Sequence, residues 1–158
     1  MKAYLDIETS SDGRITVVGM YRPSKDLKQL VLPNITSQEI LDFLNDAEAI
    51  VTYNGDRFDL PVIYKHLGLD LMGCFKSLDL MYDCWEHNLY GGLKKVEKKL
   101  GIHRDLPDMN GYDAVKLWSK YETRSDRKAL EVLLKYNEED VLNLCILEEL
   151  LKAKKVED

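Results

Sequence analysis

The chain has 158 residues, 45% hydrophobic and 32% charged, which gives enough apolar material for one packed domain over 1–158 and excludes a disordered chain. Its net charge of −6 argues against holding nucleic acid by bulk charge, although a carboxylate-rich metal site would itself contribute to that count. Cys74, Cys84 and Cys145 form no C-x-x-C pair, and His66, His87 and His103 add no zinc signature. Free thiols in a reducing cytoplasm are expected. Asp6 interrupts any N-terminal apolar run, so no signal peptide is expected, and no apolar stretch approaches a membrane span.

The first predicted strand is Ala3 to Thr9, and Ser10-Ser11-Asp12-Gly13 reads as a hairpin turn into a second strand, Ile15 to Tyr21. A third strand is expected from Lys28 to Leu32, stopped by Pro33-Asn34. Thr36 and Glu39 then have capping-box spacing ahead of a helix burying Ile40, Phe43, Leu44 and Ala47. Ala49 to Tyr53 is a fourth strand. A helix from about Arg57 to His66 follows, capped by Asp56, with Leu60, Ile63 and Leu67 inward and Gly68 as its stop. Lys76 to Leu80 is a fifth strand, and helices are expected over Met81–Leu89, Leu93–Leu100, Tyr112–Tyr121 and from Ser125 towards the C-terminus. Three hairpin-joined strands, then strands alternating with helices, predict an α/β fold with a mixed five-stranded sheet flanked by helices. The Asn54-to-Asp59 segment follows a parallel strand, where such sheets bind ligands.

Three acidic stations stand out. Asp6 and Glu8 are two apart on a strand, so they project from one face about 7 Å apart. A divalent metal would relieve their repulsion, whereas a solvated edge strand would need none. Asp59 falls in the first turn of its helix, where a carboxylate also suits the helix dipole. Tyr136 and Asp140 are four apart and share a helix face, while Glu138 and Glu139 between them read as surface charges.

In that order, Asp-Ile-Glu-Thr, Tyr-Asn-Gly-Asp-Arg-Phe-Asp and Tyr-Asn-Glu-Glu-Asp resemble the three motifs of the DEDDy exonucleases of the ribonuclease H-like fold. The middle motif is similar to that of B-family DNA polymerase proofreading domains, and the short overall pattern to stand-alone ribonuclease H-like domains of the YprB type. The resemblance implies that Asp6, Glu8, Asp59 and Asp140 hold two divalent cations, Mg²⁺ or Mn²⁺, roughly 3.5–4 Å apart. It implies that Tyr136 orients a nucleophilic water, and that the reaction is hydrolysis of a single-stranded DNA or RNA 3′ end to nucleoside 5′-monophosphates. Thr9, Asn54 and Phe58 match positions of substrate contact; Phe58 equally suits core packing.

Phosphate tracks are expected at Lys94, Lys95, Lys98, Lys99, His103 and Arg104, at Arg124, Arg127 and Lys128, and at Arg57 beside the second motif. Asp79 and Asp113 are acidic extras that could line the cleft, Asp79 more simply as a strand-end carboxylate. Two other readings fit parts of the pattern. One is a non-catalytic nucleic-acid-binding module of the same fold. The other is a haloacid-dehalogenase-type phosphatase, which wants Asp at the position of Glu8 and one more residue between Gly55 and Asp59. The choice of DNA or RNA, and any polymerase, helicase or processing partner, stays open.

Overall fold

The computed structural model describes residues Met1–Glu157. Its centre is a five-stranded sheet of β1 (Lys2–Thr9), β2 (Ile15–Arg22), β3 (Asp26–Val31), β4 (Ala49–Thr52) and β5 (Lys76–Asp79), in the order β3-β2-β1-β4-β5. β1, β2 and β3 pair antiparallel, while β4 and β5 add parallel to β1. This is the expected mixed sheet, with β1 in the middle.

Period-two alternation in β1 divides the molecule into layers. Ala3, Leu5 and Ile7 enter an apolar core with Ile40, Phe43 and Leu44 of α1 (Ser37–Leu44) and Leu60 and Ile63 of α2 (Asp59–Leu67). Tyr4 enters the opposite core with Cys84 of α4 (Leu80–Glu86), Val96 of α5 (Leu93–Leu100) and Val141, Leu144 and Leu147 of α7 (Arg127–Glu157). Asp6 and Glu8 share the parity of Tyr4, so they face the α7 layer. A third cluster joins Val17 to Trp118 of α6 (Gly111–Arg124) and to Leu133 and Tyr136 of α7. The short α3 (Leu71–Cys74), set on an Asp70 cap, was not expected.

Several local readings are corrected. Thr36 accepts from the Glu39 amide, but the Glu39 carboxylate turns to Lys28 at 2.6 Å instead of closing the box. Asp56 does not cap α2: that N-cap is Phe58, without a side-chain bond, and the Asp56 carboxylate accepts from Ser77 instead. Glu139 is buried, accepting from the amides of Asp105 and Leu106 at 2.9 and 3.1 Å, so it pins a loop and is no surface charge. Asp113 completes a reciprocal capping box with Asn110 at the start of α6, which removes it as a cleft carboxylate. Gly68 takes the left-handed conformation (φ 67°) and stops α2 as expected.

The close approach of α7 to the sheet depends on Gly19. It pairs with Asp6 across β1 and β2, and a Cβ there would fall 2.9 Å from both Asn137 Cγ and Val141 Cγ2. Without that space the helix could not lie against the strand that bears the first carboxylates.

Candidate active site

Asp6, Glu8 and Asp140 each offer a carboxylate oxygen within 4.8 Å of the others. Strand alternation supplies two of them, and the third comes from the middle of α7. Asp59 enters from the first turn of α2, its Oδ2 accepting from the Ile7 amide at 2.9 Å. The second station is thus tied to the backbone between the two carboxylates of the first. Asp59 and Asp140 are buried, while Asp6 and Glu8 are half-buried.

The electrostatics are those of an under-compensated anionic cluster. Burial, then the charges of Asp140, Glu8 and Asp59, raise the Asp6 pKa well above the carboxylate range, with Lys94 opposing. Burial and Asp140 do the same to Glu8. Asp59 is pushed up to about 7, by burial first and then by Asp79 and Asp140, although the Ile7 amide pulls the other way. Like-charged carboxylates converging in a partly desolvated place favour either protons or a cation. The donors are all hard oxygens, suited to Mg²⁺, Mn²⁺ or Ca²⁺ over a soft metal.

Neighbouring side chains hold Asp6 and Asp140. Asn137, fully buried, donates from Nδ2 to the Asp6 carbonyl and to Asp6 Oδ2, both at 3.2 Å, and accepts from Gln29 at 3.0 Å. Arg104 is buried between Glu97 and Asp140 and donates to both carboxylates. It is therefore committed inside the protein, not laid out as a surface phosphate track. Of the lysine run, Lys95, Lys98 and Lys99 are exposed. Lys94 instead turns inward, donating to the Tyr136 hydroxyl with its Nζ 4.3 Å from the ring centroid. Tyr136 itself is buried, and its pKa is raised by burial and then by Asp140, Glu8 and Asp6.

The matched substrate positions lie on the segments that carry the first two acidic stations. Thr9, half-buried, ends β1 beyond an irregularity in register at Glu8/Thr9. Asn54 holds a left-handed φ of 61°, and its amide donates to Asp79 at 2.8 Å. Phe58 is 42% exposed, so it is not a core residue. Asp79 is a structural carboxylate: it caps α4 through the Met81 amide and also receives the amides of Asn54 and Asp56. Asn137, Lys94 and Arg104 were missed as parts of the site. Gly19 was the available sign for Asn137, since a glycine inside a strand often marks close approach of another element.

The sequence matches the family model described as the RNase_H superfamily over residues 3–152. It is 32% identical to the uncharacterized protein YprB of Bacillus subtilis (strain 168), over 91% of this chain but 40% of that protein. The fold matches the family B DNA polymerase of the hyperthermophilic archaeon Pyrobaculum calidifontis with a TM-score of 0.67 and 18% identity, covering 98% of this chain and 24% of the polymerase. The chain thus spans less than half the length of either protein. Among the described residues no helix is long and apolar enough to cross a membrane. With nearly its whole length matched to the family model and its mixed sheet in the same fold, the chain belongs to the RNase H superfamily.

Proposed function

We propose that this chain is a metal-dependent 3′–5′ exonuclease acting on single-stranded DNA or RNA. The observation that carries the reading is the convergence of Asp6, Glu8 and Asp140 within 4.8 Å, with Asp59 tied to the intervening strand. These four carboxylates would hold two divalent cations, Mg²⁺ or Mn²⁺. When bound, such cations supply a water of lowered pKa and stabilise charge on the departing 3′ oxygen.

The chain's own groups do the rest. Asn137 fixes Asp6, the Ile7 amide fixes Asp59 and Arg104 fixes Asp140, so three of the four donors are set before substrate arrives. Lys94 donates to the Tyr136 oxygen, leaving the phenolic O–H available to hydrogen-bond the incoming water. With its pKa raised, Tyr136 stays protonated at neutral pH and orients water without abstracting its proton. Water adds to the phosphorus of the terminal phosphodiester, the P–O3′ bond breaks as the 3′ oxygen gains a proton from solvent, the water's own proton goes to solvent, and a nucleoside 5′-monophosphate leaves. Thr9, Asn54 and Phe58 would contact the terminal nucleotide. The free thiols of Cys74, Cys84 and Cys145 fit a cytoplasmic setting.

The test is a time course on 5′-labelled single-stranded DNA and RNA of one sequence, with Mg²⁺, Mn²⁺ or EDTA, beside Asp140→Ala. A metal-dependent ladder shortening from the 3′ end, absent in the variant, is expected. Internal cuts would overturn the end-directed part. Binding without cleavage would identify a non-catalytic nucleic-acid module.

A further inference from the structure

We propose that Arg57, Tyr82 and Trp85 form a stacking platform for unpaired bases, leading a single strand along one rim of the acidic cluster. The proposal rests on the nuclease reading for its direction of threading, but its binding chemistry stands on different residues.

Arg57 lies two residues before Asp59, in the loop between β4 and α2, and is exposed. Among the described residues it makes no ion pair. Its guanidinium lies over two rings of α4 instead, 5.8 Å from the Tyr82 centroid and 5.5 Å from that of Trp85. The rings meet edge to face at 5.3 Å. Tyr82 is 37% exposed and Trp85 half-buried, while Phe58 and Tyr90 nearby in sequence are 42% and 53% exposed. Several partly exposed rings beside a solvent-facing guanidinium leave apolar surface in water, which is a reason to look for a partner.

The two halves of the platform are locked together. Asp79 caps α4 and at the same time holds the amides of Asn54 and Asp56, immediately before Arg57. Tyr53 donates to the carbonyl of Gly91 at 2.5 Å, tying the same loop to the segment that carries Tyr90. The loop that places Asp59 in the acidic cluster therefore also places Arg57 over α4.

The occupant follows from the chemistry. Every nucleobase has a π face that stacks on an aromatic ring or a guanidinium plane, and only unpaired bases expose it. An acidic chain cannot rely on bulk charge to gather a polyanion, so stacking plus the Arg57 guanidinium, two residues from Asp59, supplies a contact tolerant of sequence. The platform therefore selects single strands and does not read sequence.

The chain has two tryptophans, and Trp118 is buried, so a Trp118→Phe variant reports Trp85 alone. This protein is titrated in EDTA with 12-nucleotide oligothymidylate, oligouridylate, and a blunt duplex. Saturable quenching by both single strands and none by the duplex is expected. Arg57→Ala and Trp85→Ala should each weaken binding by roughly tenfold, read by anisotropy of a labelled oligonucleotide, with Trp85→Phe retaining most of the affinity. Thermal melting checks that each variant is folded; if Trp85→Ala is not, exposed Arg57 carries the test. Absent quenching, or unchanged affinity in folded variants, overturns the platform. The same proteins are then given Mn²⁺. Cleavage with unaltered platform affinity rejects only the platform, and quenching without cleavage rejects only the exonuclease.

Discussion

The interface between β1 and α7 has two ends that solve the same problem differently. At one end Lys2 and Tyr4 face Glu148; at the other Asp6 and Glu8 face Asp140. The strand positions share one parity, and the helix positions lie about two turns apart. Glu148 receives Lys2 and Tyr4 at 2.8 Å each, with Lys152 3.6 Å away. Burial would raise its pKa, but those donors outweigh burial and hold it below the usual range. Asp6 and Glu8 are raised by burial and then by the charge of Asp140. One end is electrically closed. The other leaves Asp6 and Glu8 under-compensated, which is the physical difference between carboxylates matched by cations of the fold and carboxylates that could hold an added one.

Removing charge from the open end should give the largest effect. Asp6→Asn is expected to lower hydrolysis by on the order of 10²–10³-fold or more, as loss of a principal transition-state electrostatic group does. It should also raise the metal-free melting temperature, because it relieves repulsion from Asp140 and Glu8. Calorimetry and the ladder assay on one preparation read both changes. A fall in both would place Asp6 in the structural class.

Gly19→Ala attacks the contact that brings the two elements together. The added methyl meets Asn137 and Val141, so a loss of about 1–3 kcal/mol in urea unfolding is expected, with reduced metal affinity as Asn137 is displaced from Asp6. Retained stability and affinity would show that α7 shifts at no cost.

Without metal, pH should also separate the two ends. Asp6, Glu8 and Asp59 have raised pKa values, so between about pH 4 and the value of about 7 for Asp59 the folded state holds more protons than the unfolded one. Stability therefore falls as pH rises through that window, by on the order of 1–3 kcal/mol or several degrees in Tm. Millimolar Mn²⁺ should flatten the slope. A slope unaffected by any divalent cation would argue that the cluster binds protons only.

Glu148→Gln should have the smallest effect, about 1 kcal/mol of stability lost at neutral pH with hydrolysis unchanged. Its lowered pKa means that this contribution is present above about pH 4 and fades as pH falls further. Wild type and variant should therefore converge in acid.

Much of this was legible in the sequence because it rests on local periodicity. Strand alternation puts Asp6 and Glu8 on one face, helical spacing does the same for Tyr136 and Asp140, and the hairpins and strand–helix alternation predict the mixed sheet, though not its strand order. Less legible was the fate of polar groups whose partners are distant in sequence. Asp56 had the better capping position, yet it was drawn to Ser77 and left the N-cap to Phe58. Glu139 sits in a run of acids that looks solvated, but a helix buried on several sides leaves little surface, and two loop amides claim it. Arg104 followed a basic run and so read as surface. Only the fold shows Glu97 and Asp140 on either side of it.

The uninterrupted length of α7 has a consequence for how the protein is made. Asp6 is synthesised well before Asp140, and the two meet only when the helix that carries Asp140 has docked on the sheet. The acidic cluster is thus among the most non-local contacts in the chain, and such contacts form late because loop closure must precede them. A nascent or partly unfolded molecule holds its carboxylates far apart and has nowhere to gather a cation. Whatever chemistry this site performs is withheld until folding is complete.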